Sequence, residues 1–142
     1  RHFTARRDAS LVRDVTQVAA AIKLGQEQIV DARSPERFAG EAPEPRPGLR
    51  AGHMPGAKNL HYARLFEADG TMKPPAALEA EFREAGVDLE KPIITTCGSG
   101  VTACLLALAL ERIGRRRWSV YDGSWTEWGA YPDLAVETGP AS

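Results

Sequence analysis

Short runs of apolar and β-branched residues alternate with longer segments in which apolar residues recur at helical spacing. The short runs lie at residues 28–32, 92–96 and 118–121, with a weaker one at residues 57–60. Runs of this length predict buried strands. Helical spacing occurs at residues 14–25, 75–86 and 101–113, and a short helix is expected after residues 122–124. Residues 41–56 contain four prolines and three glycines, which predicts a long irregular loop.

The ends of the predicted helices carry the residues that start and stop helices. Asp14 precedes the apolar positions Val15, Val18 and Ile22, and aspartate is a preferred N-cap. Gly25 follows the last apolar position, as expected of a C-terminal glycine cap. The first predicted helix therefore spans residues 14–25.

Strands that alternate with helices predict an α/β fold, with a mainly parallel central sheet flanked by helices. The chain has 142 residues, 43% of them hydrophobic, which is enough for one domain with a core. We interpret residues 1–13 as a linker-like arm and residues 14–142 as the domain. Ligands of such sheets gather at the carboxyl ends of the strands, where Asp31 and Cys97 stand.

The most informative segment is residues 97–102, which read Cys-Gly-Ser-Gly-Val-Thr. Cys97 lies between a predicted strand and a predicted helix, and Gly98 and Gly100 allow the backbone to curl with its N–H groups facing inward. These N–H groups and the positive end of the helix favour a thiolate over a thiol. The pattern predicts a nucleophile or an anion-holding sulfur, and the alternative is a buried cysteine beside a turn.

Composition excludes several classes of function. Eighteen basic and nineteen acidic residues nearly cancel, so no nucleic-acid partner is expected, and the basic run at residues 115–117 is interpreted as a solvated turn. No apolar run reaches the roughly 18 residues of a membrane span. No Cys/His spacing indicates zinc or another metal.

The cysteine content favours a reducing compartment, and we expect a cytoplasmic protein. Two cysteines do not form a disulfide framework of the secreted type. Cys104 is expected to be a small buried core residue of the helix after the loop. A helix would hold it about two turns from Cys97, so a bridge between them is not expected.

Four stretches together resemble the rhodanese-like sulfurtransferases, over nearly the whole chain and in the order of that family. They are residues 30–33 (Val-Asp-Ala-Arg), 52–57 (Gly-His-Met-Pro-Gly-Ala), 97–103 and 121–125 (Tyr-Asp-Gly-Ser-Trp). The neutral residues that follow Cys97 resemble the branch that uses 3-mercaptopyruvate, whereas the thiosulfate branch usually carries basic residues there.

The resemblance assigns roles to individual residues. It implies that Arg37 and Arg46 bind the carboxylate of a small-molecule sulfur donor, a task that suits the bidentate guanidinium. It places Cys97 and Ser99 in the catalytic loop, and it implies further substrate-binding positions at Gly98, Gly100, Val101 and Thr102. Ser99 is expected either to relay a proton or to bond the loop backbone.

The mechanism implied by the resemblance is covalent and requires neither metal nor organic cofactor. Cys97 takes the sulfur of 3-mercaptopyruvate as a persulfide and passes it to cyanide or to an acceptor thiol, such as a small thiol or a thioredoxin-like protein. Such enzymes usually have two domains, with the cysteine in the second. The chain is therefore expected to be the carboxyl-terminal half of its parent, without the amino-terminal domain that completes the site.

Three other functions stay open at this point. The first is a thiosulfate sulfurtransferase, which the neutral loop disfavours. The second is a phosphatase on a related fold, which needs an arginine six residues after the cysteine, where Ala103 stands. The third is a non-catalytic module that binds partners or carries a persulfide, although such modules typically lose the cysteine.

Other conspicuous residues have structural interpretations. His53 is expected to bond backbone in its turn, and His61 to be an ordinary loop histidine. Asp31 is expected to bond the loops at the site. Trp125 and Trp128 are expected in the core and the pocket wall.

Overall fold

The computed structural model describes residues 11–141, and in it five parallel strands form one central sheet in the order β1-β5-β4-β2-β3. The strands are β1 (Val12–Arg13), β2 (Gln28–Asp31), β3 (Lys58–Asn59), β4 (Ile93–Thr96) and β5 (Trp118–Tyr121). In the register, Asp31 of β2 lies beside Thr96 of β4. The carboxyl ends of the two central strands therefore meet at one edge, as the α/β prediction required.

Helices cover both faces of this sheet. They are α1 (Val15–Leu24), α2 (Pro35–Ala39), α3 (Pro75–Glu84), α4 (Ala103–Arg112) and α5 (Ser124–Trp128), with a 3-10 helix at Tyr62–Leu65. Neighbouring residues of a strand point to opposite faces. Accordingly Ile93 belongs to the core under α3 and α4, whereas Ile94 belongs to the core under α1 and α5. The predicted sheet between two helical layers is confirmed.

The first helix starts and ends as predicted. The Asp14 carboxylate accepts a hydrogen bond from the N–H of Gln17 at 2.8 Å, and the Gln17 side chain accepts one from the N–H of Asp14 at 2.9 Å. Gly25 ends the helix with a φ of 71°, a left-handed conformation that costs glycine little.

Two elements differ from the sequence predictions at the amino-terminal side. Val12 and Arg13 pair with Val120 and Tyr121 of β5, so two residues of the predicted arm belong to the sheet; residues 1–10 of that arm lie outside the described residues. Helix α2 occupies a segment with no predicted helix. It is one and a half turns long, too short for a periodic signal, and is capped by the Ser34 hydroxyl.

The prediction that Cys104 is a core residue is wrong, because its side chain is exposed. Helix α4 turns Ala103, Leu106, Ala107 and Leu110 toward the sheet, a spacing of three and four residues that marks one face. Cys104 and Leu108 lie on the opposite face. Helix α4 also begins two residues later than predicted, because residues 101 and 102 form a turn.

Within residues 11–141, no helix is both long and apolar enough to cross a bilayer.

Candidate active site

Cys97 follows the last residue of β4 and lies almost completely inside the protein, with 1% of its surface exposed. The N–H of Gly100 donates a hydrogen bond to its sulfur at 3.0 Å. Gly100 has a φ of 99°, and a Cβ at this position would lie 2.6 Å from the carbonyl oxygen of Asp122. Only glycine fits there, so the tight loop predicted around the sulfur is present.

Helix α5 holds the loop at residues 97–100 in place through hydrogen bonds to its carbonyl groups. The N–H of Trp125 donates to the carbonyl of Cys97 at 2.9 Å, and the N–H of Thr126 donates to the carbonyl of Gly98 at 2.8 Å. The Thr126 hydroxyl donates to the same carbonyl at 2.7 Å. In a trans peptide the N–H points away from the C=O, so the N–H groups of Gly98 and Ser99 point away from α5. Among residues 11–141 they have no acceptor, which leaves them free for an anion.

Ser124 is a residue of this site to which the sequence analysis gave no role. Its hydroxyl oxygen accepts a hydrogen bond from the N–H of Cys97 at 3.1 Å and lies 4.0 Å from the Cys97 sulfur. The hydroxyl donates to the carbonyl of Tyr121 at 2.8 Å. Ser124 is also the one residue other than glycine with a positive φ, 51°, among residues 11–141. Strained residues of this kind concentrate at functional sites.

A cavity of about 410 Å³ opens beside the loop. Five residues predicted from the sequence line it: Arg37, Arg46, Gly98, Ser99 and Thr102. Three predicted residues do not. Cys97 itself lies behind the wall, with 1% of its surface exposed, and the other two are Gly100 and Val101. Gly100 is buried beneath the sulfur, and Val101 points to solvent with 73% of its surface exposed.

The cavity also contains side chains that sequence reasoning missed, which are Arg33, Glu44, His61, Tyr62 and Thr126. Only the motif at residues 30–33 and the irregularity of the loop at residues 41–56 pointed to any of them. His61 was expected to be an ordinary loop histidine, and it lies half-buried in the wall. Burial lowers the pKa of its imidazole below 6.5, against a smaller opposite effect of Glu36, so His61 is neutral near pH 7.

Arg33 connects the sheet to the irregular loop from a fully buried position. Its guanidinium lies 2.7 Å from a carboxylate oxygen of Asp31 and donates to the carbonyl of Gly52 at 2.7 Å. It also lies 4.5 Å from the centre of the Trp125 ring, a cation–π distance. Asp31 thus has the structural role expected for it, and Trp125 is buried in the core.

Arg37 faces the cavity from α2. Its guanidinium lies 2.7 Å from a carboxylate oxygen of Glu44. The hydrogen bond to Glu44 raises the pKa of Arg37, against a smaller opposite effect of burial, so the side chain stays charged. A Cβ at Gly98 would lie 2.7 Å from Nη2 of Arg37. The guanidinium therefore lies directly on the cysteine loop.

Arg46 lines the same cavity from the irregular loop and is exposed. Among residues 11–141 it has no hydrogen bond or ion pair. The two arginines expected to bind a carboxylate are therefore brought to one cavity, and they differ in one respect: Arg37 is anchored by Glu44, whereas Arg46 is free to move.

The prediction that His53 bonds backbone is confirmed, but that backbone belongs to α2 and not to the turn that contains His53. His53 is buried, and its Nδ1 lies 2.7 Å from the carbonyl oxygen of Phe38. Its ring stacks on that of Phe38 with 3.8 Å between the ring centres. Within residues 11–141, no group of three or more His, Cys, Asp or Glu side chains is arranged to hold a metal ion.

Comparison with known proteins gives concordant matches. The model of the rhodanese-like domain matches residues 14–131. The 3-mercaptopyruvate sulfurtransferase of Escherichia coli (strain K12) is 46% identical over 135 residues, which are 95% of this chain and 48% of that protein. The mitochondrial thiosulfate/3-mercaptopyruvate sulfurtransferase 1 of Arabidopsis thaliana is 48% identical over 78% of this chain and 29% of its own length.

A solved structure agrees with these matches. The crystal structure of the Tum1 protein from Saccharomyces cerevisiae superimposes with a TM-score of 0.80 at 33% identity, covering 90% of this chain and 47% of that one. The chain thus spans about half, or less, of the length of these relatives.

Proposed function

Because the chain belongs to the rhodanese-like domain family, we propose that it is a sulfurtransferase that moves sulfur from 3-mercaptopyruvate to a thiol acceptor through a persulfide on Cys97. The observation that carries the proposal is the position of the Cys97 sulfur. It lies 3.0 Å from the backbone N–H of Gly100. The same loop has free N–H groups at Gly98 and Ser99, and both residues line a cavity that also contains arginines. This arrangement can stabilise a sulfur anion and bind an anionic donor beside it.

The chemistry balances without a cofactor. The Cys97 thiolate attacks the sulfur of 3-mercaptopyruvate, and an S–S bond forms as the C–S bond breaks. The electron pair of the C–S bond passes to C3 of the donor, which takes up the former thiol proton and leaves as pyruvate. Cys97 is then a persulfide anion. The thiolate of an acceptor attacks its outer sulfur, breaks the S–S bond and regenerates the Cys97 thiolate.

The free N–H groups of Gly98 and Ser99 support this role. An S–S bond is about 2 Å long, so the outer sulfur of a persulfide reaches beyond the buried Cys97 sulfur, and these donors are the groups that we propose bind it. Ser99 is exposed at the cavity wall, where its hydroxyl can pass the donor's thiol proton to the leaving carbon. Arg37 and Arg46 bind the carboxylate of the donor.

Thiosulfate is the second candidate donor. The names of the relatives from Arabidopsis include it, and a relative from Cricetulus griseus that is 41% identical is named thiosulfate sulfurtransferase. The neutral residues Gly98 and Ser99 favour 3-mercaptopyruvate, because a dianion such as thiosulfate gains more from basic residues in the loop. An amino-terminal domain, as expected from the resemblance, and a thioredoxin-like acceptor are further parts of the proposal. A cytoplasmic location stays a prediction.

The test is a paired steady-state assay of 3-mercaptopyruvate and thiosulfate with a small thiol as acceptor. The wild-type chain is compared with Cys97→Ser and with the matched control Cys104→Ser. We expect turnover that prefers 3-mercaptopyruvate, is abolished in Cys97→Ser and is kept in Cys104→Ser. Mass spectrometry after the donor alone should show one added sulfur, on Cys97.

Contrary outcomes are distinct. A preference for thiosulfate refutes the donor and keeps the sulfurtransferase. Turnover by Cys97→Ser refutes the mechanism. If neither donor reacts while iodoacetamide still modifies Cys97 rapidly, the chain does not act alone and the amino-terminal domain is required.

A further inference from the structure

Glu44 is a buried acid in an otherwise exposed part of the irregular loop. Its side chain is 1% exposed, whereas its neighbours Pro43, Pro45 and Arg46 are exposed. Burying a carboxylate is unfavourable unless charged partners compensate for lost hydration. The partners of Glu44 are two guanidinium groups, those of Arg33 and Arg37.

The carboxylate lies between these two groups. One oxygen, Oε1, is 2.7 Å from Nη2 of Arg37. The other, Oε2, accepts from Nη1 of Arg33 at 3.2 Å and from Nε of Arg37 at 3.3 Å. Glu44 therefore accepts hydrogen bonds from two nitrogens of Arg37, and a third hydrogen bond, from Arg33, holds its carboxylate in place.

The two arginines differ in what they can offer a ligand. Arg33 is occupied by Asp31 and by the carbonyl of Gly52 as well as by Glu44. Of the five N–H groups of Arg37, two point at Glu44, and the others have no acceptor among residues 11–141. Arg37 alone is therefore both anchored and able to bind.

The anchored orientation brings Arg37 onto the cysteine loop at Gly98. Because a guanidinium binds a carboxylate through a planar fork, its orientation decides whether two parallel hydrogen bonds can form. Lysine or a freely rotating arginine would lose that geometry. The residue that sets the orientation is Glu44.

We propose that Glu44 is a positioning residue for the sulfur donor: its buried carboxylate orients the Arg37 fork over Gly98 so that Arg37 can bind the donor's carboxylate. The inference rests on the proposed function for the identity of the donor. Glu44 itself contacts Arg33 and Arg37, and it acts on the donor through Arg37.

The first test compares Glu44→Asp and Glu44→Gln with the wild-type chain. Aspartate keeps the charge but is one methylene shorter, so it cannot reach both guanidinium groups; glutamine keeps the length and removes the charge. We expect both variants to raise KM for 3-mercaptopyruvate about tenfold or more while kcat changes less than threefold. Glu41→Gln is the matched control, because it removes an exposed acid from the same loop, and it should leave KM unchanged.

The second test asks whether Glu44 acts through Arg37. In the Arg37→Ala background, Glu44→Asp should change KM less than twofold, because the orientation it disturbs no longer exists. A merely structural role of Glu44 predicts the full factor in both backgrounds. It also predicts a fall in kcat. Thermal unfolding of each variant would then show a matching loss of folded protein.

A binding measurement separates this inference from the proposed function. Pyruvate is a 2-oxo carboxylate without the sulfur, and its protection of Cys97 against iodoacetamide gives a dissociation constant without turnover. Wild-type protein that transfers sulfur from neither donor, and whose Cys97 is not modified rapidly by iodoacetamide, refutes the proposed function. Pyruvate protection that is equal in wild type and Glu44→Asp overturns the positioning role, whether or not sulfur is transferred; a protection constant at least fivefold weaker in the variant supports it.

Discussion

Ser124 combines two features that a pair of substitutions can separate: a buried hydroxyl beside Cys97 and a left-handed backbone. Ser124→Ala removes the hydroxyl and keeps the strained φ of 51°. Ser124→Gly removes the hydroxyl and the strain together. The difference between the two variants therefore measures the backbone, and the alanine variant compared with wild type measures the hydroxyl.

The hydroxyl has the larger effect on stability. Its removal leaves the N–H of Cys97 and the carbonyl of Tyr121 without their partner at 3.1 Å and 2.8 Å, and both residues are buried. An unsatisfied buried polar group costs about 1–3 kcal/mol, so the two groups together should lower the free energy of unfolding of Ser124→Ala by about 2–6 kcal/mol. In Ser124→Gly, relief of the left-handed strain should restore about 1–2 kcal/mol of the free energy of unfolding. The greater conformational freedom of glycine in the unfolded chain lowers this gain by roughly 0.4–1 kcal/mol.

The assay is equilibrium unfolding in urea at pH 7 with reductant, together with the rate of Cys97 alkylation in the folded protein. We expect both variants to be less stable than wild type, with the glycine variant less affected than the alanine variant by about 0.5–1 kcal/mol. Alkylation of Cys97 should slow in both variants, because both lose the hydroxyl that holds the backbone N–H of Cys97 in place. An alanine variant within 0.5 kcal/mol of wild type would refute the argument, as would a glycine variant less stable than the alanine variant.

Three further predictions concern other parts of the molecule. Arg50 donates to four carbonyls of residues 128–134, so Arg50→Ala should lower the free energy of unfolding by about 3 kcal/mol, and an effect below 1 kcal/mol would contradict this. Because burial lowers the pKa of His61, the unfolded chain binds the proton more readily; stability should fall as the pH drops below 6.5, and less steeply in His61→Gln. An equal slope in both proteins would show that His61 does not contribute. Partial desolvation, followed by the charge of Cys97, raises the pKa of Cys104, so iodoacetamide at pH 7 should label Cys97 quickly and Cys104 slowly; a fast phase that disappears in Cys104→Ser would reverse the assignment.

Local patterns were sufficient to predict most of the fold. The β-branched run before Cys97 and the apolar spacing after Asp14 gave a strand and a helix, because burial of one face imposes its period on the sequence. β1 and α2 were missed, since two and five residues are too few to show a period. Cys104 was placed on the wrong face because a nearly all-apolar helix does not reveal which side faces the sheet.

The sequence predicted only those parts of the site that are formed by residues close together along the chain. The curled loop at Cys97 could be inferred from adjacent residues, because the glycines and the strand stand next to it. Glu44 could not, since a glutamate in a proline-rich loop is normally exposed and its burial depends on two arginines brought near by the fold. Ser124 was missed for a related reason: its contact with Cys97 joins residues 27 positions apart.

The sulfur and the proposed carboxylate site lie on different structural elements around the cavity, and this separation affects how such a domain can diversify. The sulfur and its hydrogen bonds depend on residues 97–100 and 122–126, which are braced by β4, β5 and α5. The side of the cavity that we propose to bind the donor's carboxylate comes largely from α2 and the irregular loop, and this loop contacts the rest of the domain at Glu44, Arg50 and Gly52. Because loops tolerate changes in length and sequence better than packed elements, we expect mutations in this loop to change the choice of donor while Cys97 and its own loop stay intact. A library for altered donors should therefore randomise residues 45–49 and spare Glu44.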